Sequence, residues 1–583
     1  MVSANDFKNF IYQKIPLKKS IRNLSKIYGF DSEAYRNGSP FLFATSSGDI
    51  FRPQEFIYKV FGRKYRNSNF VVYNLKYETG AILYYLPEKI KDELYNKETV
   101  RYKQFRITLY PYKMLRISRG KNSVTFWDIS RFFDCSLNEA AKKYLGKSKI
   151  DVNPDLFTEE YVKNNWDKIV QYCINDAKLT RDLALVLIRY FNKFGIRVNK
   201  LYSPAYTSFQ YFLSKSKIVT LDKFWPQHYK LFKYSWYAYK GGKFEAVSLG
   251  SSNFYEYDIN SAYPYEIANL IDISKARVYY SKKFLESCQY GFLKVKITIQ
   301  DLIYHPVAIK YGAVNIFPNG SFFTYITKNE YIWLINNNVD VEILDGVWLE
   351  VKKIRYPYKT VIEDLFYYKT KYKREDPIRY QLIKKIMNSF YGKMIHVRER
   401  NDGKFVGYSG WNDVYGAVIT SNVRIRISEL QNKFKNSVVC VHTDSIISRR
   451  KLPIQVQEEV LGGWKLEVRG KGLIIRSGIY QIEDKVKTRG FKLIGYSDLF
   501  EVLESNKMKS VIKLKFQAPL SLLEGVRTHR QNEINKFVTI ERTIDLNDSR
   551  KRIIIERVRA IDYLKRLIKT IPHYLVNYNG LEN

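Results

Sequence analysis

The first 195 or so residues alternate between strand-like and helix-like stretches. FLFATSS (41–47) and NFVVYNL (69–75) are short and rich in apolar and aromatic residues, which predicts strands. From 165 to 195 the apolar positions recur with helical spacing, which predicts one long amphipathic helix ending at Gly195. Because acidic residues lie at the ends of the strand-like runs, we expect an α/β layer that presents carboxylates there.

The pattern changes in the second half of the chain. A connecting stretch covers about 196–235, and two helical patterns between Thr360 and Met394 flank the sequence KREDP. This arrangement predicts an antiparallel helix pair with its tip at Pro377. Short strand-like runs return after Ser445, and the sequence beyond about residue 510 is mixed and very basic. No internal repeat is visible in the sequence.

Three short segments of the second half carry candidate chemistry. They are YDINSAYP (257–264), KKIMNSFYG (384–392) and VHTDSI (441–446). Asp258 and Asp444 each end an apolar, strand-like run. Lys384, Asn388 and Tyr391 are spaced i, i+4 and i+7, which places them on one helix face. Two carboxylates for metal ions and a basic, aromatic helix face for a nucleoside triphosphate are what phosphoryl transfer to a growing strand requires.

The charge balance agrees with a nucleic-acid substrate. Lys and Arg number 97 against 58 Asp and Glu, which gives a formal charge of +39 and a pI near 9.7. Such a chain is attracted to a polyanion, and its aromatic share of 16% supplies stacking surfaces for bases. The alternative is a solvated, Lys-rich surface around a Tyr-rich core.

Length and cysteine usage limit the remaining classes. A chain of 583 residues suggests three to four domain-sized units. The four cysteines are far apart and form no C-x-x-C pair, which disfavours a zinc site or a disulfide framework and favours a reducing, intracellular setting. The first residues lack a signal-peptide core, and no run of about 18 apolar residues occurs, so we expect no membrane partner.

The motifs together resemble those of family B DNA polymerases. The three segments are similar to its D-x-x-S-x-Y-P, K-x-x-x-N-S-x-Y-G and D-T-D-S motifs, and YKGG (239–242) resembles the Y-x-G-G junction between the exonuclease and polymerase parts. In length and layout the chain is similar to the protein-primed branch, which small phages, archaeal viruses and linear plasmids encode. The resemblance covers about residues 25–500.

This resemblance implies two-metal nucleotidyl transfer. Asp258 and Asp444 would coordinate two Mg²⁺ ions, with Mn²⁺ as the alternative. Tyr263 would lie under the sugar and exclude a 2′-hydroxyl, and Lys384 would neutralise the triphosphate. The implied nucleotide-binding residues are Tyr263, Lys384, Asn388 and Tyr391. The implied DNA-binding residues are Tyr239, Gly241, Gly242, Asn74, Ser261, Thr443 and Tyr480.

Two positions depart from the family pattern. His442 stands where the family has the first aspartate of D-T-D-S, and Gly478 stands at the lysine position of its K-x-Y motif. Imidazole suits Zn²⁺ or Mn²⁺ better than Mg²⁺, so we interpret His442 as an outer neighbour of the metals or as a primer contact. Direct coordination stays open, because residues 442 and 444 lie two apart and both could face the metals. If His442 is an outer neighbour, restoring Asp is expected to raise Mg²⁺-dependent incorporation.

The first half contains motifs that resemble those of a 3′→5′ proofreading exonuclease. The matching residues are Asp31 and Glu33 for D-x-E, Asn74 and Glu78 for N-x-x-F-D, and Tyr172 and Asp176 for Y-x-x-x-D. The resemblance implies that Asp31, Glu33, Glu78 and Asp176 hold two metals while Tyr172 orients the attacking water. Lys149 is a further candidate for contact with the scissile phosphate. Glu78 replaces the usual aspartate, and its extra methylene displaces the carboxylate by roughly 1 Å, enough to slow catalysis.

The expected fold is α/β and α+β multidomain, with a ribonuclease-H-like exonuclease domain followed by a right hand of palm, fingers and thumb. The predicted units are 1–195 exonuclease, 196–269 linker and first palm part, 270–357 terminal-protein-contacting insertion, 358–394 fingers, 395–414 short second insertion, 415–510 second palm part and 511–583 thumb. The second insertion is predicted to form a hairpin, and Gly392 is expected to end the fingers helix.

The predicted function is a DNA-directed DNA polymerase with proofreading, primed by a protein, that replicates a viral or plasmid genome in the host cytoplasm. Its expected partners are primer–template DNA, dNTPs and a terminal protein, and the chain is expected to be a monomer. The alternative, suggested by His442 and Glu78, is a catalytically weakened nucleic-acid-binding scaffold. A nuclease without synthesis is disfavoured, because Tyr263 and Lys384 would then have no role.

Overall fold

The computed structural model describes residues 4–300, 304–399, 403–491, 493, 495–548 and 550–581. The N-terminal part contains nine strands and six α-helices among these residues. The strands are β1 (Phe10–Gln13), β2 (Ile27–Ala34), β3 (Pro40–Thr45), β4 (Ile50–Phe51), β5 (Asn69–Val72), β6 (Thr99–Tyr102), β7 (Phe105–Tyr110), β8 (Met114–Arg119) and β9 (Asn122–Asp128). The helices are α1 (Pro53–Lys59), α2 (Leu75–Ile82), α3 (Glu88–Asn96), α4 (Leu137–Leu145), α5 (Glu159–Asn164) and α6 (Trp166–Lys193).

Eight of these strands form one mixed sheet in the order β4-β3-β2-β5-β9-β8-β7-β6, which we call the N-terminal sheet. Its centre is parallel, because β5 pairs in parallel with both β2 and β9. Helix α6 packs on β2, and Gly195 follows its end with a positive φ of 77°. The predicted strands and the long helix are therefore confirmed, together with the α/β layer.

The next segment leads into a second sheet. Its elements are α7 (Pro204–Lys215), α8 (Tyr229–Ala238), β10 (Lys243–Ala246), β11 (Ser248–Ile259) and α9 (Ala262–Ala268). A separate group follows with β12 (Arg277–Tyr280), β13 (Tyr290–Ile299), β14 (Ile309–Tyr311), β15 (Val314–Ile316), β16 (Asn319–Thr327), α10 (Lys328–Asn336) and β17 (Asp340–Glu350). Strands β12, β17, β13 and β16 pair in that order and cover a core of their own. We call this group the insertion sheet.

The predicted helix pair is confirmed. Helix α11 (Lys359–Glu375) and helix α12 (Pro377–Met394) are joined at Asp376, which caps α12 by accepting from the Arg379 N–H. The helix does not stop at Gly392 as expected, but continues for two more residues. The following strands β18 (Arg398–Glu399) and β19 (Phe405–Tyr408) pair antiparallel, which confirms the predicted hairpin, and β1 pairs with β19. Residues 400–402 of that prediction lie outside the described part of the chain.

The second sheet, which we call the palm sheet, is completed by the next segment. Its further elements are α13 (Asp413–Lys433), β20 (Val438–Thr443), β21 (Ser445–Ser448), β22 (Trp464–Arg476), β23 (Ile479–Ile482) and β24 (Lys485–Thr488). The strand order is β10-β20-β21-β11-β22-β23-β24. The largest apolar core lies between α6, α7, α12 and α13 and so joins the N-terminal part to the palm and the helix pair.

The last segment is more dispersed than the single thumb expected for 511–583. Its elements are α14 (Leu499–Glu504), β25 (Val511–Pro519), α15 (Leu522–Arg527), β26 (Phe537–Asp545), β27 (Ile553–Ile554), α16 (Ala560–Lys565), β28 (Leu567–Ile571) and β29 (Tyr574–Asn579). β25 and β26 form a two-stranded hairpin, whereas β28 joins β11 of the palm sheet and β29 adds to β16 of the insertion sheet. The expectation therefore differs from the structure for these last two strands, because pairing across more than 240 residues leaves no local signal.

The overall arrangement confirms the predicted fold class. An α/β domain precedes an antiparallel palm sheet, from which a helix pair, an insertion sheet and a C-terminal hairpin extend. Among the residues described, no helix is long and apolar enough to cross a lipid bilayer.

Candidate active sites

Asp258 and Asp444 lie side by side at the ends of neighbouring palm strands. Asp258 stands opposite Ser445 in the ladder between β11 and β21, and the Ile259 N–H donates to the Asp444 carbonyl at 2.9 Å. Burial and the nearby Asp258 charge raise the pKa of Asp444 to about 7. Burial also raises the pKa of Asp258. The structure thus brings the two predicted carboxylates into one site, where burial and their mutual repulsion favour the protonated forms.

A left-handed residue sets the direction of Asp444. Thr443 has a φ of 59°, which breaks the alternation of side chains along β20. The turn is covered by the Tyr239–Gly242 loop, where a Cβ on Gly242 would lie 2.6 Å from the Thr443 side chain. A glycine is therefore required at that close approach.

The loop itself is fixed by a residue that sequence reasoning missed. Arg424 is fully buried in α13, and its Nη1 donates to the carbonyls of Lys240 and Gly241 at 3.0 and 2.9 Å. Its Nη2 donates to Glu330 of the insertion sheet at 2.7 Å. The only signal in the sequence was a charged residue within the apolar pattern of this helix.

Lys465 is a second residue that the sequence did not single out. It stands opposite Asp258 in the ladder between β11 and β22. Its ammonium lies 3.1 Å from the Asp258 carboxylate and 2.6 Å from that of Glu467. Burial lowers the pKa of Lys465, but the two carboxylates outweigh it and raise the pKa overall. Lys465 and Glu467 are two apart on one strand, and this spacing was the available signal.

The helix pair presents the predicted nucleotide face toward these carboxylates. Lys384 and Asn388 are exposed on α12, and Tyr391 is half-buried one turn further. The rings of Tyr391 and Tyr263 lie 4.7 Å apart, and the Tyr391 hydroxyl donates to that of Tyr239 at 2.8 Å. The three motifs and the glycine-rich junction therefore converge on one pocket wall.

Lys369 of α11 also reaches this site and was missed. Its Nζ donates to Asn260 Oδ1 and to Ser261 Oγ, both at 2.8 Å. Burial, followed by the charges of Lys465 and Lys384, lowers its pKa to about 8. Ser261, predicted to contact DNA, has a φ of 57° and holds this lysine against the palm.

His442 lies under the palm sheet and away from solvent. Its Nε2 accepts from the Gly478 N–H at 3.1 Å, and its ring stacks on Tyr480 with centroids 4.6 Å apart and an interplanar angle of 10°. Burial lowers its pKa to about 3, and Lys485 adds to this effect, so the ring is neutral. This environment favours the outer-neighbour interpretation over a primer contact, because the side chain does not reach the surface.

Tyr480 does not fit the predicted contact with DNA. It is 4% exposed, and its hydroxyl donates to Glu256 Oε1 at 2.9 Å. Stacking on His442 covers one face of its ring. In this structure the tyrosine packs within the palm sheet beneath the carboxylate site.

The N-terminal sheet carries a second group of carboxylates. Asp31 and Glu33 point to the same side of β2 as predicted, and one ligand atom of each lies within 4.8 Å of the other and of Cys173 Sγ. Burial and the charge of Asp176 raise the pKa of Asp31 to about 8. Burial and Asp31 raise the pKa of Glu33. Cys173 lies one turn before Asp176 on α6 and was not foreseen.

A glycine allows α6 to deliver its residues to this cluster. A Cβ on Gly29 of β2 would lie 1.7 Å from the Ala177 carbonyl oxygen. No other residue type permits that contact, and it places Asp176 beside Asp31. On the same helix the Tyr172 hydroxyl accepts from Lys149 at 3.0 Å, and Lys149 pairs with Asp176 at 2.5 Å. Lys149, a further candidate from the sequence, is therefore part of the cluster.

Glu78 also belongs to this cluster, although it replaces the expected aspartate. It is 4% exposed and accepts from the Ser32 hydroxyl at 2.6 Å. Burial and the charge of Asp31 raise its pKa. Asn74 is exposed at the start of α2, while Asp128, which sequence reasoning missed, accepts from the Leu75 N–H at 3.0 Å and fixes that start.

Both carboxylate groups have the donor chemistry of a site for hard divalent cations. Carboxylate oxygens are the ligands that Mg²⁺ and Mn²⁺ favour. Burial, followed by the charge of a neighbouring carboxylate, raises the pKa values of Asp31 and Asp444, so a cation would stabilise their ionised forms. In the N-terminal cluster, Asp176 Oδ1 is buried with no hydrogen-bond partner among the described residues. Asp258 and Asp444 offer two carboxylates at the palm sheet, and Asp31, Glu33, Glu78 and Asp176 offer four in the N-terminal part.

Comparisons with known proteins point in the same direction. Residues 61–395 match the family described as DNA polymerase type B, organellar and viral. A DNA polymerase of Acidianus bottle-shaped virus is 27% identical over 458 residues, covering 70% of this chain and 64% of its own length. A probable DNA polymerase of Ascobolus immersus is 24% identical over 482 residues, covering 72% of this chain and 39% of its own length. The chain thus spans less than two thirds of each relative.

Solved structures of phi29 DNA polymerase share the fold. A complex with primer–template DNA superposes with a TM-score of 0.62 at 16% identity and covers 89% of this chain and 100% of that one. A ternary complex with primer–template DNA and incoming nucleotide gives a TM-score of 0.60 at 15% identity, with the same coverage. At this identity the likeness describes the fold alone.

Proposed function

The chain belongs to the organellar and viral type B DNA polymerases, and from this we propose that it is a DNA-directed DNA polymerase that extends a primer strand on a DNA template. One observation carries the proposal. Asp258 and Asp444 share one palm site, and the face of α12 with Lys384 and Tyr391 stands over it. A carboxylate pair facing a cationic and aromatic helix suits a triphosphate and a primer end.

The residues of the palm site have different proposed roles, which follow from their charge and shape. Asp258 and Asp444 would hold two Mg²⁺ or Mn²⁺ ions, which supply Lewis-acid stabilisation of the attacking and leaving oxygens. Lys384 and Lys369 neutralise the triphosphate from the helix pair. Tyr263, which packs against Tyr391, would exclude a ribose 2′-hydroxyl and so select deoxynucleotides.

We further propose that the N-terminal cluster removes nucleotides from a 3′ end. Asp31 joins the buried Glu33, Glu78 and Asp176 to provide four carboxylates, which suit a two-metal hydrolytic site. The Tyr172 hydroxyl is positioned by Lys149 to orient a water. Glu78 reaches the cluster despite its longer side chain, which supports activity at this site over a decayed nuclease.

Protein priming is the more specific part of the proposal. The insertion sheet stands between Asp258 and the helix pair in sequence and has its own core, so it can offer a surface to a second protein without disturbing the palm. A terminal protein that supplies a hydroxyl as primer is the proposed partner. The polymerase would act as a monomer in the host cytoplasm on a viral or plasmid genome.

The polymerase proposal is tested by replacing the site carboxylates. Asp258→Asn and Asp444→Asn are each expected to abolish nucleotide incorporation on a primed template, because each removes one metal-binding charge. The affinity of the protein for DNA should stay largely intact, because the chain has a net charge of +39. Asp484→Asn, at an exposed aspartate between β23 and β24 of the same sheet, is the matched control and should extend primers normally.

Two other outcomes would redirect the proposal. A parental protein that binds primed DNA but incorporates nothing in Mg²⁺ or Mn²⁺ would support the scaffold alternative.

Protein priming is tested by mixing labelled dNTP with the polymerase and each product of the neighbouring genes. A nucleotide joined covalently to one of those proteins is expected, and primer extension without any labelled protein would reject protein priming alone.

A further inference from the structure

A basic cleft lies on the N-terminal sheet, away from the carboxylate cluster of Asp31 and Glu33. It has a volume of about 700 Å³ and lies over β6, β7 and β8. Four strand spacings separate β7 from β2, which carries Asp31, so the cleft is about 19 Å across the sheet from the nuclease cluster. It is therefore a separate feature of this domain.

Strand alternation makes one face of this region cationic. Along β7, Phe105, Ile107 and Leu109 are buried, whereas Arg106 projects to the other side and is exposed. Arg101 of β6 is exposed on the same side. The cations that line the cleft are Arg101, Lys103, Arg106 and Arg116. Among the residues that the structure describes, no Asp or Glu lines it.

The pairing of two of these arginines is unfavourable in the protein alone. Arg101 stands directly opposite Arg106 in the ladder between β6 and β7. Like charges in that relation repel, and no carboxylate of the described residues lines the cleft beside them. A bound anion would remove the repulsion.

An aromatic wall completes the cleft, and a further arginine lies beside it. Tyr110 and Tyr202 line it, with ring centroids 6.1 Å apart, and Tyr202 packs on Trp127 at 5.1 Å. Arg398 of the β18–β19 hairpin lies 5.7 Å over the Tyr110 ring and pairs with Glu98. Arg398 therefore adds positive charge behind the aromatic wall.

We propose that this cleft, formed by Arg101, Arg106, Arg116 and Tyr202, is an additional binding site for single-stranded DNA. Guanidinium groups bind the phosphates and the tyrosine rings stack on bases, so recognition does not depend on sequence. The proposal rests on the proposed polymerase function only for the source of the strand. That source is either template ahead of the primer end or the strand displaced from it.

The test compares two matched double variants by fluorescence anisotropy. Arg101→Ala with Arg106→Ala removes the opposed pair. Arg63→Ala with Arg66→Ala is the control and removes two exposed arginines that follow α1. Phe61, which lies beside them in sequence, stacks on Phe105, whose side chain lies on the opposite face of the sheet from Arg106. The DNA probes are a blunt duplex, a primed duplex with a 5′ template overhang and a duplex with a displaced 5′ flap.

The variant with Arg101→Ala and Arg106→Ala is expected to lose affinity for the overhang probe or the flap probe, but not for the blunt duplex. Loss of two phosphate contacts should lower the slope of log affinity against log salt concentration by about 1.4. Between 50 and 200 mM salt, this corresponds to roughly a sevenfold smaller change in affinity. The probe that loses affinity identifies the strand. The melting temperature should not fall, because the substitution removes repulsion.

If the two double variants have equal affinities and equal salt slopes on every probe, the inference of a binding site in this cleft is refuted. An equal loss on the blunt duplex would also overturn it, since that result indicates a general charge effect. Neither outcome depends on nucleotide incorporation, so failure of this inference and failure of the polymerase proposal remain distinguishable.

Discussion

Replacing His442 with aspartate tests whether the third motif depends on packing or on charge. The sequence favours a gain in Mg²⁺-dependent activity, because aspartate restores the family pattern. The structure changes the expected sign. His442 is a neutral, buried ring whose Nε2 accepts from the Gly478 N–H and whose face covers Tyr480.

The cost can be worked from these contacts. The stacked pair contributes about 0.5–1.5 kcal/mol beyond burial. Loss of roughly 40 Å³ of side chain leaves a void that costs about 1 kcal/mol. A Gly478 N–H left without its acceptor costs about 1–3 kcal/mol. Lys485 and Arg489 lie near enough to favour a carboxylate, which offsets part of this. A net destabilisation of about 2–4 kcal/mol is expected.

Activity should fall for a related reason. An ionised carboxylate in place of the His442 ring would attract Lys485, whose ammonium now pairs with Glu256 at 2.8 Å, and so disturb the strand that carries Asp258. Chemical denaturation followed by intrinsic fluorescence measures the stability, and incorporation across Mg²⁺ and Mn²⁺ titrations measures the activity. His529→Asp makes the same chemical change at an exposed position and should alter neither. A His442→Asp protein as stable as the parent and faster in Mg²⁺ would refute the packing argument.

Three other predictions concern the two sites. Tyr263→Val should admit ribonucleotides, because it removes the ring that blocks the 2′-hydroxyl; unchanged discrimination between dNTP and rNTP would reduce Tyr263 to a core aromatic. Lys369→Met should raise the KM for dNTP severalfold below pH 8, where its ammonium (pKa about 8) is charged, and the difference from the parent should shrink above that pH; parallel pH profiles would contradict this. For the N-terminal cluster, the pKa of Asp31 is raised in the folded state from 3.8 to about 8, so its contribution to stability is present below pH 3.8 and is lost as the pH rises to about 8. Without divalent metal the melting temperature should therefore fall over this pH range, and Mn²⁺ should restore it at pH 8. Asp31→Ala with Glu33→Ala should remove the pH effect and the Mn²⁺ effect, together with 3′→5′ degradation.

Features set by nearby residues could be predicted from the sequence. The helix pair was located within a residue or two, because apolar spacing, a proline and an aspartate cap act within one or two turns. The face with Lys384, Asn388 and Tyr391 follows from helical spacing alone. Asp258, Asp444, Asp31 and Glu33 were found because each follows or lies within a strand-like run. These are properties of short segments, and they hold in any fold that keeps the segment helical or extended.

Only the tertiary structure decided which distant residues complete each site. Lys465 reaches Asp258 across 207 positions of the chain through the register of two strands, and Lys369 reaches Ser261 across 108. The left-handed Thr443 turns Asp444 toward Asp258 and leaves His442 under the sheet, which no two-residue spacing could show. Burial then set the charges, since the same carboxyl or imidazole has a different pKa once water is replaced by neighbours. Local sequence determines which groups are available, whereas strand pairing and packing determine which of them meet, because those contacts depend on the whole chain.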